Sequence, residues 1–222
     1  MNELPLMTDL PRADCPTGEP FVLASGSPRR RQLLDAAGYE FTVLPASDSA
    51  ECGVCSRDTA PELVARYAYR KSADVARRID RGMIIAADTV ASCMGQILGK
   101  PRDVDHARSM LTLLSGRVHD VYTGVCLWSC ETSRCVVDVV RTELKMDPLT
   151  DDQLQSYLDS DLWDGKAGAF GYQDGNDWLT IVDGGSGSNV VGLPMERLAK
   201  LLQSFDEISR STPNVDETST WS

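Results

Sequence analysis

Hydrophobic positions along this chain change period several times, and each change marks an element. The run Phe21 to Ala24 is apolar without interruption, which predicts a short buried strand. After a Ser-Gly-Ser turn, Ser27 stands as an N-cap and Pro28 at the first helical position. Leu33, Leu34 and Ala37 then recur at helical spacing until Gly38. Phe41 to Leu44 predicts a second strand. Leu63, Val64, Tyr67, Ala68, Val75 and Ala76 predict a helix over 62–79. Met83 to Val90 is near-continuously apolar, the pattern of a strand covered on both faces. Asp103 caps a predicted helix whose stripe is Ala107, Met110, Leu111 and Leu114, closing at Gly116. Two long runs, 118–128 and 135–144, predict a hairpin. Thr150 and Gln153 form a capping-box pattern ahead of Leu154, Tyr157 and Leu158, and a last helix is expected over 194–205 after a Gly-rich turn. Alternation of this kind predicts an α/β domain with a mixed sheet.

The 222 residues divide on composition into a Pro-rich disordered arm (1–19), one globular domain (20–205) and a Ser/Thr/Asp/Glu-rich disordered tail (206–222). With 22 basic against 33 acidic residues and a net charge of −11, the chain lacks the broad basic surface of a nucleic-acid binder. No apolar run approaches the length of a membrane span, and the acidic start does not resemble a signal peptide. The seven cysteines are too few and too irregular for a disulfide framework, so reduced thiols and a cytoplasmic location are expected. The Cys52–Cys55 pair has no second ligand pair and reads as loop cysteines without a metal.

Against this acidic background, "SGSPRRR" places Arg29, Arg30 and Arg31 in the first turn of a helix, where cations oppose the helix dipole. A bound phosphate relieves that conflict, because free N–H groups at a helix start and arginine both bind phosphate; three solvated arginines is the plainer alternative. Asp88 in "AADTV" sits near the carboxyl end of a buried-type strand, where α/β sheets place ligand crevices; it serves a metal or water there, or else a turn. "GQILGKPRD" fails as a phosphate loop, since Gly95 and Gly99 are one residue too close, and leaves Lys100 as a point charge in a turn. "WDGKAGAFGYQDG" sets Lys166 and Gln173 among glycines that permit close ligand approach, and the Gln173 amide can read a base edge. His106 and His119 stand apart from any nucleophile and read as structural.

Six segments, "LASGSPRRRQLL", "YAYRKSADVA", "AADTV", "LGKPRD" with its following helix, "DGKAGAFGYQ" and "NVVGLP", together resemble the Maf family of nucleoside triphosphate pyrophosphatases, in the family's order. The resemblance implies a two-lobed, elongated α/β fold like that of inosine triphosphatases, with a central cleft. It implies hydrolysis between the α and β phosphates with Mg or Mn, and a homodimer. Residue by residue, it assigns phosphate and substrate contacts to Ser25, Ser27, Arg29 and Arg30, and the proton acceptor to Asp88. Thr89 becomes a specificity residue, Lys71, Lys100 and Lys166 cleft lysines, Gln173 the base-side residue, and His119 the family's histidine after Ser-Gly. The acidic motif before the Lys71 helix is altered here, so Glu51 is the best match for a metal-side carboxylate, shared with Asp88, and Asp48 the fallback. The pairing of "ADT" with "KAGAFGYQ" resembles the "ADT" and "KAGAYGIQ" spelling of the subgroup that takes dTTP and UTP. A nucleotide-binding regulator of cell division without turnover, and a pyrophosphatase for modified nucleotides such as 7-methyl-GTP, are the alternatives.

Overall fold

The computed structural model describes residues 9–51, 58–205 and 207; the Cys52–Cys55 pair, the start of the expected arm and nearly all of the expected tail lie outside them. In chain order the elements are β1 (Phe21–Leu23), α1 (Pro28–Ala36), β2 (Phe41–Val43), a 3-10 turn (Asp48–Glu51), α2 (Ala60–Ala76), β3 (Met83–Cys93), β4 (Gln96–Leu98) and α3 (Val104–Leu114). After these come β5 (Val118–Ser129), β6 (Arg134–Met146), α4 (Asp151–Asp159), a second 3-10 turn (Ala167–Ala169), β7 (Leu179–Asp183), α5 (Gly187–Val191) and α6 (Met195–Gln203). The expected α/β class with a mixed sheet and flanking helices is what the chain adopts. Apart from the two 3-10 turns, three elements were not predicted: β4, β7 and α5. Each is five residues or shorter, too short for periodicity to register.

Seven strands form one sheet in the order β2-β1-β3-β5-β6-β7, with β4 paired to β3 off this path. β1 runs parallel to β2 and β3, and the remaining pairs are antiparallel. β3 is the spine. One of its edges is occupied by β5 from Met83 to Ser92. On the other edge β1 pairs only with Ile84 and Ile85, and β4 only with Ala91 to Cys93. Residues 86–90 therefore face a gap between two neighbouring strands. Asp88 lies within this gap, in the middle of an eleven-residue strand and not near its end as the sequence suggested. The crevice arises where the neighbours stop, not where β3 stops.

Alternation along β3 then distributes its side chains. Met83, Ile85 and Ala87 pack with Leu33 and Leu34 of α1 and with Leu198 and Leu202 of α6. Ile84 and Ala86 pack with Ala68 and Val75 of α2 on the other face. The same period of two sends Asp88 toward α2 and Thr89 toward α1. A third cluster gathers α3, α4 and Trp178 around Ala91 and Cys93. The helix α2 comes unusually close to the sheet at Gly124, which pairs with Asp88 across the ladder. A Cβ on Gly124 would lie 2.3 Å from the Val64 carbonyl oxygen, so only glycine lets the helix settle at this depth. α2 itself is opened by Thr59 and Glu62, whose side chains and backbone form a capping box.

Residues 10–15 of the expected arm lie against this core. Leu10, Ala13 and Cys15 pack on the α1–α6 cluster. The Ala13 N–H donates to Tyr39 Oη at 3.0 Å, and the Arg12 guanidinium stacks over the Tyr39 ring, 5.8 Å from its centroid.

Candidate active site

A cleft of about 420 Å³ opens at the gap in the β3 edge. Its lining brings together Ser25, Ser27, Arg29 and Arg30 from the β1–α1 turn, Lys71 from α2, and Asp88 and Thr89 from β3. Lys100 before α3, and Lys166 and Gln173 from the Gly-rich loop after α4, complete it. These residues span nearly 150 positions of sequence, and the fold collects all ten of them.

Lys71 occupies the apolar stripe of α2, one helical turn from Tyr67 and one from Val75, and is 6% exposed. A buried ammonium needs a counterion. Lys71 Nζ donates to Asp88 Oδ1 at 2.6 Å, which supplies one. Asp88 keeps its second carboxylate oxygen directed to no partner among the described residues, and its side chain is 15% exposed to the cleft.

On the opposite sheet face Arg30 is nearly buried, and all three guanidinium nitrogens bond protein atoms. Nε donates to the Gly192 carbonyl at 2.7 Å, Nη1 to Ser25 Oγ at 2.9 Å and Nη2 to Thr89 Oγ1 at 3.1 Å. Thr89 Oγ1 is also 3.0 Å from Thr123 Oγ1, and Thr123 donates to the Asn189 carbonyl. Gly192 has φ +123, a conformation that suits glycine, and this turn is what aims its carbonyl at Arg30. Arg29 reaches across to the far wall, where Nη2 donates to the Gly165 carbonyl at 2.8 Å. Burial lowers the Arg29 pKa, with Asp174 and Tyr157 opposing the shift. Ser27 holds the N-cap position of α1 without a side-chain cap bond, so the helix start keeps its N–H groups for the cleft. Arg31 is exposed and lies off the cleft.

The far wall is the loop 164–174. Its 3-10 turn is tied to the Lys100 loop by a bond from the Gly168 N–H to the Gly99 carbonyl at 3.0 Å. Gln173 lines the cleft, and its Oε1 is buried with no hydrogen-bond partner among the described residues. Lys166 Nζ donates to both oxygens of Asp174 at 2.5 Å. Asp174 and its second donor, Tyr157, were not among the sequence-predicted site residues. The available signals were weak: an acid beside Gln173, and a tyrosine that reads as part of a helical stripe. Phe170 lines the cleft and is 5% exposed, serving the core as well. Its ring meets His119 edge-on at 5.2 Å. Burial drives His119 down to about 4, opposed by the Arg117 backbone and Asp120, so the ring is neutral at ordinary pH. His119 does not line the cleft, and His106 Nδ1 accepts the Arg102 N–H at the start of α3.

Of the two acids expected on the metal side, Glu51 ends the first 3-10 turn with its side chain outside the described part, and Asp48 is exposed in the same turn. Among the described residues there is no group of three or more His, Cys, Asp or Glu that forms a cation cage. One open carboxylate oxygen on Asp88 fits the sparse protein contribution that Mg²⁺ takes when phosphates and waters fill the rest of its shell. The described residues include no helix long and apolar enough to cross a membrane.

The chain matches the Maf-like protein family over residues 20–205. It is 66% identical over 218 residues to a dTTP/UTP pyrophosphatase of Rhodopirellula baltica, covering 97% of this chain and 96% of that one. Proteins of the same name from Carboxydothermus hydrogenoformans and Geotalea uraniireducens are 42% and 40% identical, covering 82% and 84% of this chain and 97% and 95% of theirs. Among solved structures, a HAM1 protein from Coxiella burnetii aligns at TM-score 0.47 with 14% identity over 83% of this chain and 98% of that one. With the motifs gathered at one cleft and the match running through the whole described domain, the chain belongs to the Maf family.

Proposed function

We propose that this protein hydrolyses dTTP and UTP to the nucleoside monophosphate and pyrophosphate, with Asp88 as the proton acceptor. The observation that carries the reading is Asp88 itself: an acid in the gap of the β3 edge, held by Lys71 through one oxygen and open to the cleft through the other. Its open oxygen orients and deprotonates a water aimed at the α phosphorus. Arg29, Lys100, Lys166 and the start of α1 screen the triphosphate, and catalysis is mostly positioning and electrostatics. Arg30 fixes Ser25, Thr89 and the Gly192 turn relative to one another. A divalent cation would be held by Asp88, with Glu51 as second candidate, and would supply charge neutralisation at the phosphates. Pyrophosphate leaves readily, so no covalent intermediate is needed. The names of the relatives support the choice of base, and Gln173 in the cleft lining supports it chemically, because a primary amide offers an acceptor for the imide N–H of thymine or uracil and a donor for a neighbouring carbonyl. A homodimer in the cytoplasm is the accompanying expectation.

Pyrophosphate release over a panel of triphosphates, with Mg²⁺ or Mn²⁺, tests this. Turnover of dTTP and UTP should exceed that of ATP, GTP and 7-methyl-GTP by about tenfold or more. Gln173→Ala should narrow that ratio more than it lowers the total rate. A purine triphosphate as best substrate overturns the base assignment, and binding without release of pyrophosphate overturns the reaction.

A further inference from the structure

The far wall of the cleft holds an acid that the reaction above does not use. Asp174 follows Gln173, and its side chain is 5% exposed, against 9% for that of Lys166. Both carboxylate oxygens accept from Lys166 Nζ at 2.5 Å, and Oδ2 also accepts from Tyr157 Oη on α4 at 2.6 Å. Tyr157 Oη in turn accepts the Gly171 N–H at 3.1 Å. The fit around the carboxylate is close: a Cβ on Gly171 would lie 2.3 Å from Asp174 Oδ2. One carboxylate thus ties α4, the Gly-rich loop and the lysine together.

An acid next to the lining of a cleft that gathers cations for a polyanion opposes binding by its charge, so its presence needs a compensating use. Lysine supplies the reason. Burial lowers the Lys166 pKa, Asp174 opposes the shift, and the Arg29 guanidinium arriving from α1 pushes it further down. Lys100 from the loop before α3 and Asp164 from the same Gly-rich loop also line this cleft, and Lys71 and Asp88 face it from the other side. Without Asp174 the ammonium would sit among cations in a dry wall and give up its proton. With Asp174 it stays charged and stays in place. An ammonium has three N–H donors; two go to Asp174, and no other acceptor among the described residues takes the third.

We propose that Asp174, locked by Tyr157 and by the bare Gly171 backbone, is the positioning residue of the far wall, holding Lys166 with one N–H presented to a substrate oxygen. The inference rests on reading the cleft as a triphosphate site. It makes the two walls counterparts with roles reversed. On one, a lysine positions an acid that acts; on the other, an acid positions a lysine that acts.

The test is the pH profile of kcat/KM for dTTP in the full-length protein. Asp174→Asn keeps the shape and an acceptor for Tyr157 but removes the charge. Relative to wild type at each pH, it should lose about tenfold near pH 9 and recover to within about threefold near pH 6.5, where Lys166 is again protonated. In a Lys166→Met background, Asp174→Asn should cost less than about twofold more, because its partner is gone. Tyr157→Phe should shift the profile the same way by about threefold near pH 9, and it carries the test if Asp174→Asn does not fold. A loss that is the same at every pH and adds in full to that of Lys166→Met would mean Asp174 only braces the loop, and overturns the inference. A wild-type protein inactive on the whole panel instead overturns the triphosphate reading beneath it.

Discussion

Two lysine–aspartate pairs belong to the two walls of the cleft, with Lys71, Asp88 and Lys166 in its lining and Asp174 outside it, made of the same residue types at nearly the same separation. Lys71 meets Asp88 at 2.6 Å through Oδ1 alone, while Lys166 meets Asp174 at 2.5 Å through both oxygens. Asp88 is 15% exposed and Asp174 5%. Tyr157 occupies Asp174 further, whereas Asp88 keeps an oxygen turned to the cleft. The unsatisfied valence decides the chemistry. A carboxylate with a free oxygen can take a proton from water; one whose oxygens are all engaged can only hold its partner.

The sharpest way to break this comparison is to neutralise each acid in turn. Asp88→Asn should lower kcat by about a thousandfold with triphosphate binding nearly unchanged, against roughly tenfold for Asp174→Asn at its worst pH. Equal losses would erase the distinction between an acting and a positioning acid.

Each wall also rests on a glycine, and the two should respond differently to alanine. At Gly124 the added Cβ meets α2 backbone, 2.3 Å from the Val64 carbonyl oxygen, so the helix carrying Lys71 must move. We expect a stability loss of about 3 kcal/mol with most activity gone. At Gly171 the clash is with the Asp174 carboxylate itself, and a side chain can yield where a helix cannot. About 1 kcal/mol and the pH profile of Asp174→Asn are expected there. Denaturant melts of the two variants with parallel kinetics decide it; matching stability losses would show that both walls are equally rigid.

The far wall has a built-in acid sensitivity. His119, beneath Phe170, has its pKa lowered from 6.5 to about 4 by burial. Above about pH 6.5 it is neutral whether folded or not. Between there and about pH 4 the unfolded chain binds a proton that the folded protein refuses, so stability falls with falling pH across that window, by at most about 3 kcal/mol. His119→Phe should flatten that part of the stability–pH curve. An unchanged slope would place the acid sensitivity elsewhere. The smallest effect is expected beside the cleft: Arg31→Ala, exposed and off the lining, should change triphosphate binding by less than about twofold, while Arg29→Ala weakens it by more than about tenfold. Similar effects in a titration would mean that the charges act as a diffuse field.

Much of this was legible before any fold was known. Caps, helical stripes and apolar runs are local signals, and they correctly marked the α1 start, the β5–β6 hairpin and the α4 capping box. The chemistry-bearing residues Asp88, Lys100, Lys166 and Gln173 could be picked out because charged and amide groups in tight turns or buried strands have few other uses. The short strands β4 and β7 were not legible, and neither was their consequence: β4 is what closes one side of the gap at Asp88. The sequence by itself therefore determined which segments form helix and strand, and that three arginines would stand in the first turns of α1. Only the tertiary structure decided that Arg30 would be spent on Ser25, Thr89 and Gly192, and that Asp174 would find Lys166 and Tyr157. Those partners come from separate elements, up to 162 positions apart in the case of Arg30 and Gly192. A hydrogen bond across such a span leaves no periodicity in either segment, because it is set by how the elements pack and not by what lies next to them in the chain.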